Sequence, residues 1–257
     1  MKVDQERLDF KCVTLAMLIG YAFRTSPVRV NGPGWMMAVG SPRFQIAATI
    51  PKGSSKDQAP EMVQALLAER FGLTVHLESA MLPGYALLLA RGGPQINTAV
   101  AQSDVAYPDM TSVPDAFYGT IHTRSINEGD EPVRTISSPR VGTVRETGDP
   151  YRIQRWEAPS ISLAGLADLI DHVAPLSLPV VDMTGLGGRY SLVLEVSLSD
   201  LSPTHRQNSE DPKSDLEETA LRAFNSGLTK LGLRLERRKG PIETVVVDHV
   251  ERTPAEN

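Results

Sequence analysis

A chain of 257 residues with 41% apolar and 22% charged residues has an ordinary folded composition, which excludes a disordered or low-complexity class. The formal net charge of −5, with acids and bases interspersed, argues against nucleic-acid binding. One cysteine, Cys12, excludes an internal disulfide and a cysteine-rich metal centre.

The early apolar run over residues 12–23 is too short to cross a bilayer. Asp4, Glu6 and Asp9 precede it and no small-residue cleavage site follows closely, so neither an export signal nor a membrane segment is expected in the chain as written.

Leu8, Phe10 and Cys12 alternate with Arg7, Asp9 and Lys11, the period of a half-buried strand, which reads Cys12 as a small buried hydrophobe. Thr14 is a natural N-cap, and Leu15, Leu18, Ile19 and Ala22 share one face of a short helix. Val28 and Val30 form a brief strand. A turn at Asn31-Gly32-Pro33-Gly34 follows, and residues 44–50 return as a strand.

Pro60 opens a second helix striped by Val63, Leu66, Leu67 and Phe71, with Gly72 as its C-cap. Residues 73–77 alternate as a strand. A turn at Leu82-Pro83-Gly84 then sends residues 85–90 back as another. From 92 to 150, Pro, Gly, Ser, Thr and Asp break every helical period, which reads as a loop-rich linker with strands near 117–122.

The same order resumes afterwards. Residues 151–156 read as a strand, and Ser162 caps a helix carrying Leu163, Leu166, Ala167, Ile170 and Val173 on one face. Strands at 179–181 and 190–196 flank a glycine-rich turn. After a polar insertion over 199–214, a longer helix buries Leu216, Ala220, Phe224 and Leu228 and ends at Gly232. Strands from Leu233 and over 242–250 close the chain. The basic run Arg237-Arg238-Lys239 before Gly240-Pro241 reads as a solvated hairpin turn between them.

Side by side, the halves match at Leu15 and Leu163, at Arg43-Phe44 and Arg189-Tyr190, and at Phe71-Gly72-Leu73 and Leu231-Gly232-Leu233. The expected fold is therefore α+β. It comprises two tandem β-α-β-β-α-β-β units, over 1–91 and 151–257, joined by the 92–150 linker.

This frame, with LLAERFGLTVHLE from Leu66 and GLTKLGLRLE from Gly227, resembles the short N-terminal domain of secretins and TonB-dependent receptors. That resemblance implies a protein-docking or signalling module of the cell envelope. The strings GPGW at 32–35, LPGYALLLARGGP from Leu82, DMTGLGGRYSLVLE from Asp182 and GPIETVVVDHVERTPAEN from Gly240 resemble an uncharacterised family abundant in soil-associated Acidobacteria. Its members carry an export signal and a further strand ahead of the region where this chain begins. The resemblance implies a periplasmic or exported protein and lends no activity.

Candidate chemistry is sparse. Asp168, Asp171 and His172 on one helix could hold a divalent metal, but a fourth ligand is not evident and an exposed polar face is the simpler reading. His76 and Glu78 share a strand face without a nucleophile motif. Asp248 and His249, as neighbours on a strand, face opposite ways, and His122 and His205 fall in weakly patterned stretches.

No catalytic residue, metal or cofactor is therefore expected. Trp35 is either an exposed partner anchor or a plug of the first core, with the core the simpler of the two. Gly32, Gly34, Asp182, Gly185 and Arg189 complete the candidate partner-binding or turn residues, and Asn31 and Asp182 are expected to hold local backbone N–H groups. The leading expectation is a non-enzymatic module that binds another envelope protein or itself. The alternatives are a small-ligand sensor with its site between the repeats and, behind it, a hydrolase or metal enzyme.

Overall fold

A computed structural model describes residues 2–3, 7–51, 53–54, 58–99, 110–115, 119–128, 131–138, 140–149, 152–197 and 212–255. The chain begins β1 (Lys2–Val3), β2 (Arg7–Thr14), α1 (Leu15–Ala22), a 3-10 turn (Pro27–Arg29), β3 (Val30–Asn31), α2 (Gly34–Met37), β4 (Arg43–Thr49), α3 (Ala59–Phe71) and β5 (Thr74–Leu89). The middle of the chain carries β6 (Asn97–Thr98), β7 (Thr111–Asp115), β8 (Gly119–Glu128), β9 (Glu131–Ser138) and β10 (Gly142–Gly148). Then come β11 (Ile153–Ile161), α4 (Leu163–Val173), β12 (Val180–Asp182), β13 (Tyr190–Ser197), α5 (Pro212–Lys230) and β14 (Leu233–His249). The fold is mixed α+β, as the periodicities predict.

Two compact units form. Unit 1 gathers Met1–Met81, Thr111–His122 and Pro241–Asn257; unit 2 gathers Leu82–Met110 and Thr123–Gly240. Two expectations change here. The turns predicted at 82–84 and 237–241 do not form, because β5 and β14 each run unbroken through them. Their later parts find partners far away in sequence. Tyr85–Leu87 pair in parallel with β12, and Val245–Val246 pair in parallel with β3. These long-range ladders satisfy the backbone that a hairpin would have satisfied locally. Among its described residues the span 92–150 is likewise not loop-rich, since β8, β9 and β10 are substantial strands. Some inward positions are taken by Thr135, Ser138 and Thr147, which are buried, so the apolar alternation of a half-buried sheet is muted in the sequence. Phe117, in the strand expected near 117–122, lies outside the described residues.

In unit 1, Thr14 Oγ1 accepts the N–H of Met17 at 3.3 Å and starts α1. Apart from Met17, α1 is buried along its whole length, and it packs on Val63, Leu67 and Phe71 of α3. Phe10 of β2 meets Tyr21 edge-on with centroids 5.0 Å apart. β2 pairs antiparallel with β4, in register from Arg7↔Thr49 to Phe10↔Ile46 and again at Val13↔Phe44. The shift between them is a bulge at Lys11-Cys12. Cys12 sits there with φ +58° and is exposed, not buried, because the extra residue interrupts the strand alternation. Arg43 donates to the Cys12 carbonyl at 2.9 Å.

In unit 2, strands lie in the order β6-β13-β11-β10-β9-β8. β11 and β13 pair antiparallel with a register shift between Ala158 and Ile161. There Arg189 donates to the Ser160 carbonyl at 2.6 Å and to its hydroxyl at 2.8 Å. Ser162 caps α4 by accepting the N–H of Gly165 at 3.0 Å. Trp156 of β11 is 1% exposed and stacks on Phe224 of α5 at 6.0 Å. The element order is β-α-β-α-β-α-β at 7–89, counting the short α2, and β-α-β-β-α-β at 153–249, where α2 has no counterpart.

Candidate docking groove

β4 shows the alternation of a half-buried edge. Ile46 is buried and Phe44 and Ala48 are half-buried, while Arg43, Gln45, Ala47 and Thr49 stand mostly in solvent. β2 takes one side of the strand, and among the described residues nothing pairs with the other. A free edge presents unpaired N–H and C=O groups, and natural proteins blunt such edges with proline, inward charges or bulges. β4 carries none of these on its outer side; its one charge, Arg43, is turned to the bulge carbonyl.

Beside this edge runs a groove of about 480 Å³ between β4 and the last turns of α3. Phe44, Ile46, Ala48, Leu66 and Phe71 give it apolar side chains, Gln45 and Arg70 add polar ones, and Pro254 and Ala255 line it as well. Phe44 and Phe71 meet edge-on at 5.1 Å. The C-terminal segment is held by the spare carbonyls of the helix end: Glu251 N–H donates to Phe71 O at 2.7 Å and Ala255 N–H to Arg70 O at 2.7 Å.

Trp35 does not stand out as an anchor. It packs partly buried against the unit 1 core, with the Arg252 guanidinium 5.9 Å from its ring centre. Gly32 lies where a side chain would strike Met36 and Val247, whereas Gly34 opens α2 with open space around it. Asp182 accepts the N–H and hydroxyl of Thr184 at 2.9 and 2.7 Å, the local turn expected of it. Gly185 follows in that turn with φ +72°. Asn31 is taken into β3 beside Val246.

The three-residue metal constellation does not form. Asp168 is buried and receives two bonds from Arg140, at 2.9 and 3.1 Å, while Asp171 accepts the Val180 N–H at 2.9 Å. Among the described residues no group of three or more His, Cys, Asp or Glu side chains could hold a metal. His76 meets Asp248 at 2.8 Å across the β5–β14 ladder instead of Glu78, and His249 meets Glu251 at 3.1 Å. His122 sits in β8, and His205 lies outside the described residues.

Two polar centres escape the sequence because their partners are remote. Tyr85, buried on β5, donates to Glu217 at 2.7 Å; burial and that bond push its phenol up to about 12. Glu146 of β10 is 14% exposed and accepts from Gln154, with Arg134 at 3.6 Å. Burial pushes its carboxyl above the usual Glu range, partly offset by Arg134. A raised folded value favours the protonated form. Its stabilisation is therefore complete below the ordinary value of 4.5 and is lost as pH rises through the folded value. Glu146→Gln should remove that loss, making the variant more stable than the parent at neutral pH and flattening the profile above about pH 4.5. Urea unfolding at stepped pH checks this; a parent profile that rises over the same interval contradicts it.

The family model described as "Protein of unknown function (DUF3738)" matches residues 16–250. No curated protein matches the chain, and no solved structure does.

Proposed function

The chain belongs to the DUF3738 family of proteins of unknown function, and from that premise we propose a non-enzymatic docking module of the cell envelope that binds another protein through a sheet edge. The observation that carries the reading is the outer edge of β4, unpaired among the described residues, beside its groove. A strand edge supplies main-chain hydrogen bonds for affinity, and a groove alongside it selects alternate side chains.

The ionisable side chains first weighed for catalysis support the non-enzymatic side of the reading, since Asp168, Asp171 and His76 each meet a specific structural partner. An envelope location rests on the likeness of residues 66–78 and 227–236 to the short N-terminal domains of secretins and TonB-dependent receptors. The stretches 7–89 and 153–249 are read as copies of one ancestral α+β unit. Their capped first helices and the arginine clamps on Cys12 and Ser160 support that.

A photo-activatable residue at position 45 of the full chain tests the reading in native cells, with position 193 on exposed β13 surface as the control. Position 45 should yield one reproducible adduct, recovered in the envelope fraction, that position 193 does not. Equal labelling from both positions, or none from 45, removes the support.

A further inference from the structure

β5 is an edge strand over its first half. β14 takes one side of it, and β12 covers the other only at Tyr85–Leu87. From Thr74 to Met81 no described residue pairs with that outer side. The side chains there stand in solvent: His76, Leu77, Glu78 and Ser79 are all exposed, with Leu77 at 61% and Met81 at 60%. A leucine this bare on an open edge is a combination that natural sheets avoid.

The neighbouring strands show which way the backbone of β5 faces. The Thr244 hydroxyl of β14 donates to the Glu78 carbonyl at 3.3 Å, so Glu78 turns its main-chain groups inward. Alternation then turns those of Val75, Leu77 and Ser79 outward. Further along, the odd-numbered Tyr85 and Leu87 also face outward, bonding Pro179 O and the Met183 N–H at 2.9 Å each. The charges on the edge are one base and one acid. His76 and Glu78 sit two apart on the face opposite to that of Leu77, and Asp248 holds His76 Nδ1 at 2.8 Å. The imidazole Nε2 and the Glu78 carboxylate have no partner among the described residues.

A strand of this pattern is complementary to itself. When two copies run antiparallel with Leu77 against Leu77, each His76 stands opposite Glu78 of the other copy. Val75 then stands opposite Ser79, so the outward-facing residues meet as hydrogen-bonded pairs. Moving one copy along by two residues sets Glu78 against Glu78 or His76 against His76, which repels. Moving it by four leaves both charges unpaired. We propose that the outer edge of β5 pairs with the same edge of a second copy of this chain, antiparallel and centred on Leu77. A ladder this short buries less than the ~1,600 Å² of a standard interface, so the dimer is weak, with a micromolar Kd. The pairing uses a different sheet from β4 and is independent of the docking reading.

Cysteine placement reads the register. In a Cys12→Ser chain, Leu77→Cys puts two thiols on opposed residues whose Cα atoms are about 5.5 Å apart, within reach of a disulfide. Ser79→Cys puts them four residues out of step, about 14 Å apart and beyond that reach. Under mild oxidation the first should form the linked dimer at least about tenfold faster than the second. Sedimentation of the parent chain up to about 500 μM should show a reversible dimer. Leu77→Lys sets like charges against each other and should give a monomer whose unfolding midpoint is unchanged. Glu78→Lys should weaken the dimer about tenfold.

A parent chain that stays monomeric to about 500 μM overturns the proposal. So does a dimer that survives Leu77→Lys, since the copies then meet elsewhere. Equal linking at positions 77 and 79, or faster linking at 79, overturns it as well.

Discussion

Trp156→Ala should lower the stability of unit 2 by about 3–5 kcal/mol, the largest loss expected from a single side chain here. The indole is 1% exposed on β11 and lies stacked against Phe224 of α5, so its removal opens a cavity on the contact that holds the helix to the sheet. Neighbouring side chains cannot fill it without moving α5, whose next anchor on the same face, Leu228, is itself fully buried. Urea unfolding followed by far-UV dichroism measures the loss, with Trp35 as the remaining fluorophore for unit 1. A loss below about 1 kcal/mol would mean that the site collapses freely and is not a packed core.

Gly227→Ala should be the second most damaging change, although it replaces glycine by the best helix former. The propensity gain inside α5 is about 1 kcal/mol. Against it, a Cβ at 227 would lie 2.2 Å from the Glu195 carbonyl oxygen and 2.9 Å from Leu194 Cδ1. The carbonyl is main chain of a strand held by β11 at Arg155↔Glu195, so relief means lifting the helix or shifting that backbone. Overpacking of this kind costs about 1–3 kcal/mol and more against backbone, so strain wins and the variant loses stability on balance. Gly34→Ala is the matched control, with nothing within 4 Å of its added carbon, and should be neutral. A stabilised Gly227→Ala protein would mean that the close approach of α5 to β13 is not kept in solution.

What the sequence discloses and what it conceals divide along one physical line. Signals confined to a few neighbouring residues survive: Thr14 and Ser162 cap the helices expected of them, and Asp182 makes its own turn. Features whose partners sit far along the chain do not. Pro83 and Gly84 spell a turn locally, yet β12 straightens the chain through them by pairing with Tyr85–Leu87. Asn225 reads as an outward polar residue of α5, yet its amide brackets the Leu235 backbone at 2.7 and 3.1 Å. Glu146 looks like one more acid in a polar strand until Gln154 and Arg134 close around it. The candidate groove is hidden for the same reason, because its edge is defined by a neighbour that none of the described residues supplies. Membership of a family of unknown function is legible from intact strings, since those are local by nature.

The unbroken course of β5 and β14 separates inheritance from folding. Residues 82–89 are encoded with the first half and completed in unit 2; residues 241–249 are encoded with the second and completed in unit 1. Neither half of the reading frame therefore specifies a self-sufficient body. A ribosome must release nearly the whole chain before unit 1 can receive its closing strand, so the amino-terminal portion waits unfinished during synthesis. Mutational damage also cannot be quarantined by position along the gene. A lesion after residue 240 strikes the unit that was translated first.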